Sequence, residues 1–269
     1  MTEPANIPAG LFVPEGENFL PTAFTRGPWR ADAQHGGPPA ALLAFITEPE
    51  VEPDEFISHI EIELLRPVPL TALRPTCTKN RVSGRVQRIA TELHSDTELV
   101  ARSTALVLQR SDILEPEWHS SGTVAPAPPD PSRAVDPPRW ATGDVTTYHR
   151  NAVEHVFAVG TFREPGPALD WIRLRQPVVV DNEPTGLQRV LAAADLGSGI
   201  SALYSSESSF GLINANLTVS LFREPVGEWI AIDAKSYVGD GTGLCITTIG
   251  DLTGQVGVAT QSLIGYSMG

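Results

Sequence analysis

One pattern of landmark residues occurs twice in this sequence, about 157 residues apart. The first copy opens at Leu64-Leu65-Arg66-Pro67 and the second at Leu221-Phe222-Arg223-Glu224-Pro225. In both copies a glycine follows the arginine after 18 residues, and an aspartate follows after 30 residues in the first copy and 28 in the second. These later landmarks are Gly84, Gly241, Asp96 and Asp251. Because solenoid and propeller units are much shorter than this period, the repeat predicts two copies of one domain.

The net charge of the sequence argues against nucleic acid as a binding partner. The 269 residues include 32 acidic and 19 basic side chains, a formal charge of −13, and no run of Lys or Arg. Nucleic acid is therefore not an expected partner, because neutralising its phosphates needs a basic stripe. A local basic pocket remains compatible with a small acidic ligand.

The sequence carries no signal for export or membrane insertion. Its first residues, Met1–Asn6, lack the basic start and apolar core of a signal peptide, and no apolar run approaches the roughly 18 residues of a membrane span. The two cysteines, Cys77 and Cys245, lie in strand-like runs and are interpreted as small buried residues rather than a disulfide or a metal pair. We expect a cytoplasmic protein without stable membrane insertion.

A proline-rich stretch divides the chain. Proline lacks a backbone donor and disfavours helix in the residue before it. We therefore predict an N-terminal domain over 1–114, a linker over 115–140 and a C-terminal domain over 141–269. The prolines of the linker are Pro116, Pro126, Pro128, Pro129, Pro131, Pro137 and Pro138.

The first half is predicted to form a helix followed by antiparallel strands. Residues 38–47 are rich in Ala and Leu and begin with two prolines, which do no harm at a helix start because the first N–H groups have no partner there. Within 58–64, Ile60, Ile62 and Leu64 alternate with polar residues, as in a half-buried strand. Further strands are predicted over 74–84, 86–95 and 98–109.

The second half repeats this order. Residues 185–195 have helical propensity and end before Gly197. One helix lying on a strongly curved antiparallel sheet is the hotdog architecture. The predicted fold class is therefore α+β, a double hotdog whose two sheets join into one. Its strands are predicted over 152–162, 169–180, 216–222, 229–239, 243–251 and 256–266.

Five short segments follow one another along the chain: His35-Gly36-Gly37, Ala193-Ala194-Asp195-Leu196, Asn214–Val219, Gly227-Glu228-Trp229 and Ala259-Thr260-Gln261-Ser262. Together they resemble the TesB-like acyl-CoA thioesterases of the thioesterase II type. The resemblance covers nearly the whole chain apart from the linker and the termini. It depends on the order of the segments, since no single one is decisive.

The resemblance implies hydrolysis of acyl-CoA thioesters to a free fatty acid and CoA, with no metal or other cofactor. It also implies that Asp195, Gln261 and a third residue bind and polarise the attacking water. The family often has Thr or Ser at the third position. Counting back from Arg223 makes Asn214 the best match, and Thr218 is a more distant candidate.

The chemistry of a thioester agrees with these roles. Its carbonyl is electrophilic enough to be attacked by a water that a carboxylate deprotonates, so no protein nucleophile is required. Asp195 would be that base. The backbone N–H groups of Gly36 and Gly37 at the start of the first helix, with His35 as a further donor, are expected to stabilise the oxyanion.

The two copies are expected to differ at the site. We predict that Thr104 occupies the position in the first copy that Gln261 holds in the second, as in a duplicated site that has decayed. The single site would then lie between the halves. The Gly-Gly helix start would come from the first half and the Asp/Asn/Gln group from the second.

Other functions remain open on this fold, because hotdogs host several chemistries. A non-catalytic acyl-CoA or acyl-chain binding protein would explain the missing Thr or Ser. A hydratase or dehydratase is a third possibility, although His35 lacks the Asp five residues earlier that such a site would be expected to show. The histidines have no metal-ligand spacing. A homodimer of double hotdogs is the expected assembly.

Overall fold

The computed structural model describes residues 9–28, 30–112, 129–130, 132, 134–138, 145–204, 208 and 210–267. Within them the α-helices are α1 (Gly37–Thr47), α2 (Gly186–Ala194) and α3 (Gly197–Ile200). The strands are β1 (Phe12–Glu15), β2 (Asn18–Pro21), β3 (Glu55–Leu64), β4 (Arg74–Ser83), β5 (Val86–Ser95), β6 (Glu98–Gln109), β7 (Val153–Thr161), β8 (Glu164–Leu174), β9 (Phe210–Asn214), β10 (Asn216–Leu221), β11 (Trp229–Gly239), β12 (Thr242–Asp251) and β13 (Gly254–Ser267).

A single large sheet runs through both halves, in the order β4-β5-β6-β3-β10-β13-β12-β11-β8-β7, and β9 pairs with the end of β13. Every pairing in this sheet is antiparallel. Read outward from the centre, the first half has the order β3-β6-β5-β4 and the second the same order β10-β13-β12-β11. The predicted α+β double hotdog with one continuous sheet is therefore confirmed.

The pairing of β3 with β10 at the centre of the sheet shows which residue of the first copy corresponds to which residue of the second. Glu61 of β3 lies opposite Thr218 of β10, and these residues are 157 positions apart, the period of the sequence repeat. On the outer side of each strand, Glu61 faces Thr104 in β6 and Thr218 faces Thr260 in β13. Thr104 therefore corresponds to Thr260.

The predicted correspondence of Thr104 with Gln261 is wrong by one residue. The register makes Ala105 the counterpart of Gln261. Side chains of a strand alternate between faces, so a shift of one residue moves a side chain to the other face of the sheet. Thr104 is exposed, whereas Ala105 and Gln261 are both buried.

The two long helices lie antiparallel against each other. Gly37 at the start of α1 approaches the end of α2, and Glu48, which follows α1, contacts the start of α2. Nine of the eleven residues of α1 are buried, so this helix has no solvent-facing side and is apolar all round. The start of α1 therefore lies beside the end of α2, and the end of α1 lies beside the start of α2.

Most predicted elements are confirmed. The bounds of α1 and α2 agree with the predicted 38–47 and 185–195 to within one residue. The strand predicted over 169–180 is wrong in position, because β8 begins at Glu164 to pair with β7 in a hairpin and ends at Leu174. Strands β1, β2 and β9 were not predicted, since each is only four or five residues long and carries little periodicity.

The two cysteines and the predicted linker are only partly as predicted. Cys245 is buried as predicted, but Cys77 is exposed, because β4 is the edge strand and nearly all its residues face solvent. Most of the predicted linker, 115–140, lies outside the described residues. Its described end pairs with β7 through Ala134 and Val135.

No helix in the described part of the chain is both long and apolar enough to cross a bilayer.

Candidate active site

A cavity of about 690 Å³ lies between the two halves, next to the start of α1 and the end of α2. Both halves contribute to its walls. Its polar and charged lining residues include Arg30, Gln34, His35, Arg66, Asp195, Ser198 and Asn214. Its apolar lining residues include Leu64, Leu65, Val68, Leu196, Leu212, Ile213 and Ile264.

Asp195 supplies the one carboxylate among the described residues that line this cavity. It is the C-cap residue that directly follows α2, and its side chain is only 2% exposed. Oδ2 lies 2.8 Å from Nδ1 of His35, and Oδ1 accepts a hydrogen bond of 2.8 Å from Nδ2 of Asn214. A carboxylate oxygen has two acceptor positions, so each oxygen can still accept a hydrogen bond from a water.

The ring of His35 has a defined tautomer in this arrangement. Its Nδ1 lies 2.8 Å from the carboxylate of Asp195 and 3.2 Å from the backbone N of Gly37. One nitrogen cannot donate to the first and accept from the second. The shorter, charge-assisted contact is the stronger, so Nδ1–H donates to Asp195. The N–H of Gly37, at the positive end of α1, then remains able to bind another acceptor.

Gly36 and Gly37 allow the two helix ends to approach closely. A Cβ atom on Gly36 would lie 2.6 Å from Oδ1 and 2.8 Å from Oδ2 of Asp195. A Cβ atom on Gly37 would lie 2.7 Å from the carbonyl oxygen of Ala192. A Cβ atom on Gly37 would thus clash with backbone, whereas one on Gly36 would have to displace the carboxylate of Asp195, so the Gly-Gly pair allows the observed position of that carboxylate.

Gln261 lies behind Asp195 rather than in the cavity wall. Its Nε2 donates to the backbone carbonyl of Asp195 at 3.1 Å, and its Oε1 accepts from the backbone N–H of Ser198 at 2.9 Å. The side chain is 1% exposed and is not among the lining residues. Both ends of the amide therefore brace the turn that carries Asp195.

Asn214 reaches Asp195 because the second copy interrupts a strand that is continuous in the first. Strand β3 corresponds to β9 and β10 together, and Ala215 separates the two. Asn214 is the last residue of β9 and points its amide at Asp195. Thr218, the more distant candidate, lies on the face of β10 opposite to buried Leu217 and Val219.

Tyr148 belongs to the site although the sequence does not predict it. It begins a π-helical turn, Tyr148–Ala152, and its ring lies 5.0 Å from the ring of His35. Its hydroxyl donates to the carbonyl of Ala192 at 2.8 Å. Burial and the nearby carboxylate of Asp195 raise the pKa of Tyr148 well above its usual value, so the hydroxyl remains a donor. Tyr148 thus joins His35 to the end of α2.

At the other end of the helix pair, where α1 ends and α2 begins, a carboxylate is engaged in hydrogen bonds with the protein. Glu48 is the C-cap residue of α1, as Asp195 is the C-cap residue of α2. Its carboxylate accepts hydrogen bonds of 2.6 Å from Oγ1 of Thr185 and from Nε2 of Gln188. Burial raises the pKa of Glu48, and these hydrogen bonds oppose that effect.

The amides of the second copy have apolar counterparts in the first. Asn214 faces Leu263 as Ile57 faces Val107, which makes Ile57 the counterpart of Asn214. Ala105 is the counterpart of Gln261. The first copy therefore lacks both amides, and the six predicted site residues, His35, Gly36, Gly37, Asp195, Asn214 and Gln261, all meet at one end of the helix pair. Within the described residues no group of three or more His, Cys, Asp or Glu side chains is arranged to hold a metal ion.

Comparison with known proteins gives a family for the first half. Residues 25–108 match the model of the acyl-CoA thioesterase N-terminal domain. No curated protein matches the chain.

Solved structures with the same fold cover almost the whole chain. A protein of unknown function with a hot dog fold from Alicyclobacillus acidocaldarius has a TM-score of 0.70 and 14% identity, over 96% of this chain and 97% of that one. The acyl-CoA thioesterase II TesB2 of Mycobacterium marinum has a TM-score of 0.61 and 14% identity, over 94% and 93%. The tesB protein of Mycobacterium avium subspecies paratuberculosis has a TM-score of 0.64 and 12% identity, over 95% and 96%.

These structural likenesses establish the fold, and the family model adds the class of the first domain. That domain contributes Gln34, His35 and Gly36 to the cavity described above, and Gly37 lies directly after them at the start of α1. The first half of the chain thus carries an acyl-CoA thioesterase N-terminal domain, and the chain as a whole has the hot dog fold of the solved structures in duplicate.

Proposed function

We propose that this chain hydrolyses acyl-CoA thioesters to a free fatty acid and CoA, using a water activated by Asp195. The observation that carries the proposal is the buried carboxylate of Asp195 in the cavity wall, held on one oxygen by His35 and on the other by Asn214. A carboxylate in this position is a general base whose direction is set before substrate arrives.

The chemical steps follow from these groups. Asp195 takes a proton from the bound water, whose oxygen attacks the thioester carbonyl to form a tetrahedral intermediate. The carbon–sulfur bond then breaks, and the proton held by Asp195 passes to the leaving sulfur. Water has added across the thioester, and no covalent enzyme intermediate has formed.

The negative charge of the intermediate needs hydrogen-bond donors. The N–H groups of Gly36, which lines the cavity, and of the adjacent Gly37 suit this role, because both lie at the start of an eleven-residue helix and the nearby Nδ1 of His35 carries a hydrogen that it donates to Asp195. Removing one such donor typically costs about 10²- to 10³-fold in turnover.

Gln261 and Asn214 are assigned to holding Asp195 in place. Gln261 braces the backbone on both sides of the base, at Asp195 and Ser198, so we assign it to holding the base rather than to contacting the water. Asn214 contacts the carboxylate itself and lines the cavity, so it is placed to orient both the base and the water.

The test is CoA release from acyl-CoA substrates of several chain lengths, followed with a thiol reagent. We expect turnover by the wild type, and a loss of about 10² to 10⁴-fold in Asp195→Asn with little change in substrate affinity. Glu48→Gln is the matched control, because it neutralises the carboxylate at the opposite helix end, and it should retain turnover within a few-fold. Tight acyl-CoA binding without any CoA release would instead favour a non-catalytic binding protein.

A further inference from the structure

We propose that Arg66 and Arg30 bind the phosphate groups of CoA at the open end of the cavity, and that Gln34 accepts a hydrogen bond from an amide of the pantetheine arm. This inference rests on the proposed function, since it assigns the carrier part of the same substrate. CoA combines the two chemistries required, namely phosphates at one end and two amide N–H groups between the phosphates and the thioester.

The exposed fractions of the lining side chains distinguish a buried end of the cavity from an open end. The side chains of Asp195 and His35 are 2% and 12% exposed, whereas those of Arg66 and Arg30 are 47% and 57% exposed. The thioester must reach the buried carboxylate. The phosphates, which are strongly hydrated, would then remain at the exposed end, where both guanidinium groups lie.

The charge at this end contrasts with that of the whole chain. The protein has a net charge of −13, yet the described charged residues that line the cavity are two arginines and one aspartate. A polyanionic ligand therefore meets two guanidinium groups on a protein that otherwise repels it. Each guanidinium is paired at 2.8 Å with an exposed carboxylate outside the lining, Arg66 with Glu98 and Arg30 with Asp32, so a phosphate would replace these carboxylates.

The arginine that corresponds to Arg66 is committed to the fold. Arg223 makes a bidentate pair with Asp251, at 2.6 and 2.8 Å, and also donates to the carbonyls of Gln255 and Gly254. Arg66 instead pairs with Glu98 at 2.8 Å, through side chains that are 47% and 65% exposed. Exposed pairs of this kind are weak, so a phosphate can replace the carboxylate at small cost.

Gln34 provides an independent sign of a ligand. It is 9% exposed and lines the cavity, and its Nε2 donates to the carbonyl of Pro69 at 2.8 Å. Its orientation is thus defined, and among the described residues no donor reaches its buried Oε1. A buried acceptor without a partner is uncommon in folded proteins. An amide N–H of the pantetheine arm would supply the missing donor.

The experiment compares the binding of free CoA and free pantetheine by calorimetry, which does not require turnover. Pantetheine keeps the amides but lacks the phosphates. In Arg66→Ala we expect CoA affinity to fall by about tenfold while pantetheine affinity is unchanged. Arg66→Lys should recover part of the loss, and CoA binding should weaken as ionic strength rises. Gln34→Met should weaken both ligands about equally.

Two controls separate a phosphate contact from a general effect. Arg88→Ala removes an exposed arginine that does not line the cavity, and should leave CoA affinity unchanged. Glu98→Gln breaks the ion pair of Arg66 without removing the guanidinium, and should leave CoA affinity equal or higher. Equal losses in Arg66→Ala and Arg88→Ala, or wild-type binding of CoA no tighter than that of pantetheine, would overturn the inference. Normal CoA binding with no hydrolysis would reject the proposed function instead.

Discussion

Gly36 and Asp195, which are 159 residues apart in the sequence, lie against each other so closely that a Cβ atom on Gly36 would be 2.6 Å from a carboxylate oxygen of Asp195. Gly36 is the N-cap residue of the helix of the first half, and Asp195 is the C-cap residue of the long helix of the second. The proposed base and the proposed oxyanion donors therefore belong to different copies of the repeat, and the site exists only when the copies pack together.

This contact makes Gly36→Ala a direct test of the geometry. The added methyl group must displace the carboxylate of Asp195, and misplacement of a reacting group by about 1 Å can cost on the order of 10²-fold in rate. We expect that loss in the turnover of acyl-CoA. Gly199→Ala is the control, because Gly199 lines the same cavity but has no atom within 4 Å of an added Cβ. Equal rates for the two variants would contradict the proposed role of the carboxylate.

Gln261→Ala should reduce turnover less than Asp195→Asn. The variant removes the hydrogen bonds to the backbone of Asp195 and Ser198 but keeps the base, so we expect a loss of roughly 10- to 100-fold in kcat, with KM nearly unchanged. Steady-state kinetics measures both parameters.

The control for Gln261 is its neighbour on the outer face. Thr260→Ala, and likewise Thr104→Ala in the first copy, should be nearly silent, because these side chains lie on the face of the sheet away from the helices. A loss in Thr260→Ala as large as that in Gln261→Ala would mean that the effect comes from the strand and not from the amide.

Tyr148→Phe should lower stability by about 1 kcal/mol, the typical net contribution of one hydrogen bond. The variant keeps the ring against His35 and loses only the hydrogen bond to the carbonyl of Ala192. Urea unfolding gives the change in free energy. Tyr237→Phe, at an exposed position of β11, should have no measurable effect. A Tyr148→Phe variant as stable as the wild type would mean that this bond adds nothing to the packing of the helix ends.

Asp251→Asn should destabilise the fold at neutral pH and remove part of its acid sensitivity. Burial opposes ionisation of Asp251, but hydrogen bonds from Arg223, Thr253 and the backbone of Val226 outweigh it and hold the pKa of the carboxyl well below its usual value. A depressed pKa contributes stability above the unfolded-state value, about 3.9, and that contribution is lost as the pH falls below it.

The expected loss in Asp251→Asn at pH 7 is about 3 kcal/mol, the range for breaking a buried ion pair. The difference from the wild type should shrink as the pH falls from about 4 towards 2, and urea unfolding across this range measures it. Glu63→Gln, which breaks an exposed pair with Arg102, should change stability by less than about 1 kcal/mol. A difference for Asp251→Asn that stays constant with pH would show that its charge is not the source of the stability.

Much of the architecture follows from local patterns in the chain. The repeat spacing, the Ala/Leu-rich helix behind two prolines and the alternation in β3 lead to the double hotdog, because helix and strand periodicities are imposed by neighbours in the sequence. The six residues that meet at the candidate site were also named from the sequence, through segments whose order resembles one family. These signals are short local patterns, or the order and spacing of such patterns, and all of them can be read from the linear sequence.

The finer features depend on packing between distant segments. Only the sheet register shows that Ala105, and not Thr104, corresponds to Gln261, since a single-residue shift reverses the face. Tyr148 is identified only by its contacts across the helix ends, and Gln261 is distinguished from a cavity residue only by which backbone atoms it reaches. Local sequence specifies the elements, whereas the distances between them are set by side chains that meet only after both halves have folded.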